Sequence, residues 1–262
     1  MRVRVPASIA NLGPGFDVLA MAVDLWLEAE AMPADAPDWS FEGEEPGSPN
    51  PFSSLRMKGA VKSEIPLGVG LGSSAAARLA AVALSGIDPP ISRAVSEEGH
   101  PDNAWAAYTG GMRLVVDDAH FALPVPDLDV ALFVASEPAP TEHARAALPG
   151  EVSRNDAVFN LSRIALLIHT LYARRWELLR AALEDRLHQP QRLHLYPYVA
   201  DVIHAAHHLG WGAAVCGAGP SVFALCTPGE GQGLADAMAA AAPDRGRALV
   251  TRVSKQGMQV ER

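Results

Sequence analysis

The sequence predicts an α+β protein of two domains, on three observations. Strand-like and helix-like segments are interleaved without the regular strand–helix–strand alternation of a doubly wound sheet. The 262 residues exceed the roughly 150 of an average domain. The second half also changes character, opening with the longest helical periodicity of the chain, Ser153 to Arg174. A boundary is therefore expected near Pro126, giving domains 1–126 and 127–262.

Taken in order, Arg2 to Val5 alternates charged and apolar residues as a strand does, and Pro6 is expected to end it. Ala7 to Phe16 is a loop of small residues. Val18 to Ala29 is apolar and extended, so the two extended runs can pair around that loop. Met32 to Pro51 is dense in Pro, Gly, Asp and Glu and reads as loop. Ala60 to Ile65 reads as a strand stopped by Pro66. A glycine-rich turn over 68–74 leads into the alanine-rich run Ala75 to Leu84, which has helix-former composition. His100-Pro101-Asp102-Asn103 opens a helix that Gly110-Gly111 closes. Strands are expected at Met112 to Val116, Phe121 to Val125 and Val130 to Ala135.

In the Ser153–Arg174 helix, Val158, Leu161, Ile164, Ala165, Ile168, Leu171 and Tyr172 recur at helical spacing, and this stripe is assigned to the core. Further helix is expected over Trp176 to Leu187 and Tyr198 to Leu209. Gly212 to Cys226 reads as two strands around a second glycine turn, 217–221. A helix at Leu234 to Ala242 and a strand at Ala248 to Val253 follow.

Composition excludes several function classes. Apolar residues make up 49% and charged residues 19%, too apolar for a disordered chain. The net charge of −9, with no run of Lys or Arg, disfavours nucleic acid as a partner. No apolar run reaches the roughly 20 residues of a spanning helix, so no membrane role is expected. The N-terminal segment has no signal-peptide core. Cys216 and Cys226 cannot build a disulfide framework and are assigned to apolar strands, which fits a reducing cytoplasm. His204, His207 and His208 share a helix face without a Cys or carboxylate among them, and no structural zinc is expected.

The strongest chemical signal is Pro66-Leu67-Gly68-Val69-Gly70-Leu71-Gly72-Ser73-Ser74-Ala75-Ala76. A glycine turn opening into a helix brings backbone N–H groups close to a phosphate, and the helix N-terminus adds partial positive charge. Ser73 and Ser74 can cap the helix, bind a phosphate oxygen or ligate Mg²⁺. No Lys follows the last glycine, so this is not a Walker loop, and Ser73 stands where a dinucleotide fingerprint has its third glycine. Asn11 and Asp17 flank a second small-residue cluster. They can hold a polar substrate or form an Asx-type turn. Glu97-Glu98-Gly99-His100-Pro101-Asp102-Asn103 gathers carboxylates, His and Asn at a helix start, suited to Mg²⁺ or an anionic substrate, or to complementing the helix dipole. The 217–221 turn can complete a pocket or turn a hairpin.

Together and in this order, these motifs resemble the small-molecule kinases related to galactokinase, homoserine kinase, mevalonate kinase and phosphomevalonate kinase. PASIANLGPGFD, IPLGVGLGSSAAA, EGHPDN and GAGPSV are most similar to the homoserine kinases. TEHARAALP, NDAVFNLSR and EDRLHQPQR extend the match, which runs from Val3 to about Leu225. The resemblance implies two α+β domains with the active site in the cleft between them. It implies transfer of the ATP γ-phosphate to the side-chain hydroxyl of L-homoserine, with ATP and Mg²⁺ as cofactors and a homodimer as the assembly.

By position, Pro66 to Ala76 would wrap the phosphates, Asn50 would contact the adenine, and Ser74 and Glu98 would hold Mg²⁺. Asn11, Asp17, His100, Asn103, Thr141, Arg145 and Arg192 would surround homoserine and the transferred group, with Asn103 and Arg145 as the catalytic pair. The chain is shorter than those kinases between Asn50 and Ile65 and between Ala77 and His100. Rival readings are a related kinase acting on another alcohol, or a homologue that binds nucleotide or amino acid without turnover.

Overall fold

The computed structural model describes residues 1–44, 50–117, 119–139 and 141–261, Thr141 by its place in a helix alone. β1 (Arg2–Ala10) and β2 (Leu19–Pro33) pair antiparallel at the centre of the first sheet. Pro6 does not end β1. The register slips between Pro6 and Ala7, and this bulge absorbs the proline's missing N–H so that the strand continues. Val3, Val5, Ala7 and Ile9 are fully buried, as a strand covered by helices requires.

β3 (Asp38–Gly43) runs parallel to β4 (Met57–Ser63) inside the stretch expected to be loop. There Trp39 and Phe41 alternate with polar residues and pack on the core, a period-two signal masked by the surrounding Pro and acidic residues. Helices α1 (Ser73–Leu84), α2 (Ile91–Glu98) and α3 (Pro101–Thr109) follow, α2 being unanticipated. β5 (Met112–Val116) and β6 (Ala119–Leu123) form a hairpin, with β6 beginning at Ala119 rather than at the expected Phe121.

A second sheet orders its strands β10-β7-β9-β8, all antiparallel: β7 (Asp129–Ala135), β8 (Gly212–Val215), β9 (Val222–Cys226) and β10 (Gly246–Arg252). Its helices are α4 (Thr141–Ala146), α5 (Arg154–Ala173), α6 (Leu179–Ala182), α7 (Gln189–Leu195), α8 (Tyr198–His208) and α9 (Gly231–Ala240). A last strand, β11 (Gln259–Glu261), returns to pair with β1. Cys216 and Cys226 are buried in the core. Among the described residues no helix is long and apolar enough to cross a membrane.

Two helix expectations are corrected. The run from Trp176 to Leu187 is one 3-10 turn (Trp176–Leu178) followed by the single turn of α6. The Asp185 carboxylate then accepts from the N–H groups of Leu187, His188 and Gln189, offering the backbone a bend in place of helix.

Ser153 caps α5 by accepting from the Asp156 N–H at 3.1 Å, as its position suggests. The apolar stripe of α5, however, is not core as a whole: Val158, Leu161 and Tyr172 are 58%, 68% and 64% exposed. The buried face carries Asn160, Leu167, Thr170 and Leu171. Asn160 decides the phase, because its amide donates to Asp185 and Pro14 while its carbonyl accepts from the Arg186 N–H. Hydrophobicity alone therefore selects a face that is only partly core, with Leu171 buried and Ile164 and Ile168 packed against the core.

Candidate active site

The two sheets meet along a seam of backbone hydrogen bonds. The Gly217 N–H donates to the Ala10 carbonyl at 3.2 Å, Ser221 to Val69 at 3.3 Å and Ala139 to Gly68 at 2.8 Å. Beside that seam lies a cleft with a cavity volume of about 120 Å³. It gathers residues from both halves of the chain, including Asn11, Asp17, Glu98, His100, Asn103, Arg145 and Arg192.

Over 66–76 the chain alternates. Val69 and Leu71 point into the core, whereas Gly68, Gly70 and Gly72 line the cleft with positive φ. A Cβ on Gly70 would lie 2.1 Å from the Cys216 carbonyl oxygen, and one on Gly72 would lie 2.2 Å from Ser8 Oγ, so only glycine lets the loop come this close. The loop delivers the chain to the N-terminus of α1, whose first turn has no acidic residue and no side-chain cap. Its N–H groups are left for an anion. Ser73 and Ser74 line the cleft, while Pro66, Ala75 and Ala76 are buried behind it and Leu67 is half-buried.

Ser74 Oγ donates to Glu98 Oε2 at 2.9 Å. Two hard oxygen donors at the mouth of the glycine loop suit Mg²⁺, which takes one or two protein ligands and completes its shell with phosphates and water. Arg78, one turn along α1, also reaches Glu98 Oε2 at 2.7 Å. The carboxylate is thus held at the loop by an ion pair within the protein.

α3 begins at Pro101 because His100 is extended and the proline ring presets the first helical φ. Asn103, in its first turn, has an Oδ1 that is buried with no partner among the described residues. Such an acceptor at the cleft wall calls for a donor from a ligand. Asp102 is buried beside it, and burial pushes its carboxyl up to about 6. Burial and the nearby Arg145 lower the His100 pKa, so the imidazole is neutral near pH 7.

On the opposite wall, Arg145 from α4 donates to Asp17 Oδ1 at 2.7 Å. Asn11 takes a left-handed conformation that turns the chain out of β1. Its Oδ1 accepts from the Asp17 N–H at 3.1 Å and its Nδ2 donates to the Gly217 carbonyl at 2.9 Å. Asn11 thus closes the turn, and Asp17 faces the cleft. Arg192, 3% exposed, donates through Nη1 to the Gly217 carbonyl at 2.6 Å, and its Nε is buried without a partner among the described residues. Phe16 lies under both guanidiniums, 5.5 Å from Arg145 and 5.7 Å from Arg192.

Of the other expected residues, Thr141 opens α4, but its side chain lies outside the described residues. Asn50 does not line this cleft; it accepts from the Phe52 N–H at 2.9 Å and caps the turn there. Arg78, His188 and the Gly217 carbonyl were not anticipated. A signal existed for two of them, since Arg78 follows Ser74, and Arg192 follows His188, at the i,i+4 spacing of helical neighbours.

Residues 167–244 match the family model for the C-terminal part of GHMP kinases. Homoserine kinase from a strain of Thermus thermophilus is 41% identical, the match covering 95% of this chain and 94% of that one. This chain belongs to the homoserine kinases. Homoserine kinase from Cytophaga hutchinsonii, as a crystal structure, matches the fold with a TM-score of 0.84 at 27% identity, covering 100% of this chain and 97% of that one. The crystal structure of L. major mevalonate kinase with R-mevalonate gives a TM-score of 0.73 at 13% identity, covering 97% and 95%, which places the homoserine kinase fold within the wider GHMP architecture.

Proposed function

We propose that the cleft transfers the γ-phosphoryl group of ATP to the side-chain hydroxyl of L-homoserine, giving O-phospho-L-homoserine. Family membership supports the reaction, and the pairing of an anion-binding glycine loop with the Asp17–Arg145–Arg192 cluster in one cleft carries it to these residues. Homoserine offers an ammonium, a carboxylate and a hydroxyl. Asp17 takes the ammonium, Arg192 and Arg145 fork onto the carboxylate, and the hydroxyl donates to Asn103 Oδ1. His100, neutral, completes that pocket, and Thr141 is assigned to it by the family resemblance alone.

Phosphoryl transfer through a loose transition state needs alignment and charge neutralisation more than a strong base. The N–H groups of the glycine loop and of α1 hold the phosphates. Ser74 and Glu98 would hold Mg²⁺, which when bound neutralises charge on the β- and γ-phosphates. Asn50 is the candidate for the adenine side. The two sheets support a division near Pro126, with β11 returning to the first.

A coupled ADP-release assay with Mg-ATP tests this, offering L-homoserine against L-serine, L-threonine, mevalonate and no acceptor. Turnover should require L-homoserine and fall sharply in Asn103→Leu. Turnover with another alcohol would overturn the substrate, and ligand-induced thermal stabilisation without any ADP release would overturn catalysis.

A further inference from the structure

We infer that His188 is a positioning residue for homoserine recognition: it fixes the Arg192 guanidinium by one nitrogen so that the Nε edge is presented to the cleft. This rests on the reading of Arg192 as a carboxylate ligand.

His188 is fully buried at the start of α7, one turn before Arg192. Both of its ring nitrogens are engaged. Nε2 lies 2.7 Å from the Gly13 carbonyl, in the loop that carries Asp17, and Nδ1 lies 2.5 Å from Arg192 Nη1. A guanidinium only donates, so Nδ1 accepts and the ring proton sits on Nε2, directed at Gly13. Burial, with the adjacent Arg192 and against the Asp185 carboxylate, depresses the imidazole pKa to about 4, in keeping with a ring that is neutral near pH 7.

The ring itself is held on all sides. The Asp185 carboxylate accepts from the His188 backbone N–H at 2.9 Å and lies 3.7 Å from ring Nε2, and Asn160 donates to that carboxylate at 2.7 Å. Phe16 packs on the imidazole with ring centroids 5.3 Å apart.

Arg192 Nη1 is consequently saturated, giving to His188 and to the Gly217 carbonyl. Nε is buried and unpartnered among the described residues, on a side chain that lines the cleft. The Nε edge of a guanidinium forks onto a carboxylate, and a fork works only when the plane is fixed. His188 and Gly217 fix it, so the bound carboxylate meets a preorganised donor rather than a side chain that must first be ordered.

Two near-isosteric variants separate the two nitrogens. His188→Asn keeps an oxygen acceptor where Nδ1 was and loses the bond to Gly13. His188→Gln keeps a donor where Nε2 was and loses the acceptor for Arg192. The KM for L-homoserine should rise about tenfold or more in His188→Gln and stay within about threefold in His188→Asn, with the KM for ATP unchanged in both; a tenfold change corresponds to about 1.4 kcal/mol. Equal effects on homoserine KM in the two variants, or an equal rise for ATP, would overturn the proposal.

Arg192→Met is the control. If it leaves homoserine KM unchanged, the carboxylate reading itself fails; if it raises KM while His188→Gln does not, only the role of His188 fails. Independently of any variant, ¹⁵N NMR of histidine-labelled protein should show His188 as the neutral Nε2–H tautomer from pH 5.5 to 8. A neutral Nδ1–H form would contradict the geometry.

Discussion

The Arg145 guanidinium and the Asp17 carboxylate are paired on one wall of the cleft at 2.7 Å, each about one-third exposed. The pair brings a cation from α4 onto an anion from the β1–β2 loop. An amino-acid zwitterion carries the same two charges in the opposite sense, so it can enter by exchanging partners, with its ammonium on Asp17 and its carboxylate on Arg145. Replacing one paired state by another conserves charge neutralisation throughout binding.

Asp17→Asn should therefore raise the KM for homoserine about tenfold to a hundredfold, the value of one charged hydrogen bond, and leave that for ATP unchanged. Steady-state kinetics with each substrate varied in turn would show it. A parallel rise for ATP would mean that the pair holds the cleft together rather than the substrate.

Asn103→Leu removes the unpartnered acceptor and keeps the volume. Turnover should drop roughly 10²-fold with little change in the thermal midpoint, because Asn103 Oδ1 has no protein partner to lose among the described residues. Rapid-quench measurement of the first turnover isolates the chemical step.

Gly70 and Gly86 both have positive φ, but a Cβ on Gly70 meets the Cys216 carbonyl while one on Gly86 meets nothing within 4 Å. Alanine at Gly86 should cost about 1 kcal/mol of backbone strain, and alanine at Gly70 clearly more. Urea denaturation of the two variants separates strain from close approach.

Asp102 titrates near 6 in the folded state because burial disfavours its charge. Its folded pKa is raised, so the stability it contributes is complete below the ordinary carboxyl pKa near 3.8 and is lost as pH rises through about 6. Asp102→Asn should gain stability over the parent between pH 4 and pH 7, with the difference levelling off above that. Chemical denaturation across this range reads the slope directly.

The phase of α5 is open to a simple contrast. Leu161→Gln lies on the exposed face and should change stability by no more than about 0.5 kcal/mol, whereas Leu167→Ala should cost about 2–5 kcal/mol.

Local grammar was readable in the sequence where it was unopposed. The glycine loop, the Pro101 helix start and the span of α5 each depend on neighbours close in the chain. β3 was hidden because acidic and turn-forming residues surround Trp39 and Phe41, so composition outweighed periodicity. The face of α5 was misjudged because a buried amide, Asn160, set it. Within the site, Asp17 stands out as a carboxylate for a polar substrate, Arg145 and Arg192 only through the family resemblance, and their partners not at all. The Gly217 carbonyl belongs to the backbone, Gly13 lies 175 residues from His188, and no spacing rule links them.

The Gly217 carbonyl accepts from Asn11 on one side and Arg192 on the other, and backbone bonds from Gly217 to Ala10 and from Ser221 to Val69 run beside it. These bonds beside the cleft resist a jaw-like opening. Traffic in and out has to pass over the rim, where Glu98, Asp17 and Arg145 are partly exposed, and Arg145 rides on the short helix α4. The pace of product release would then be set by one short helix and one exchanged ion pair, while the two sheets travel through the reaction as a single body.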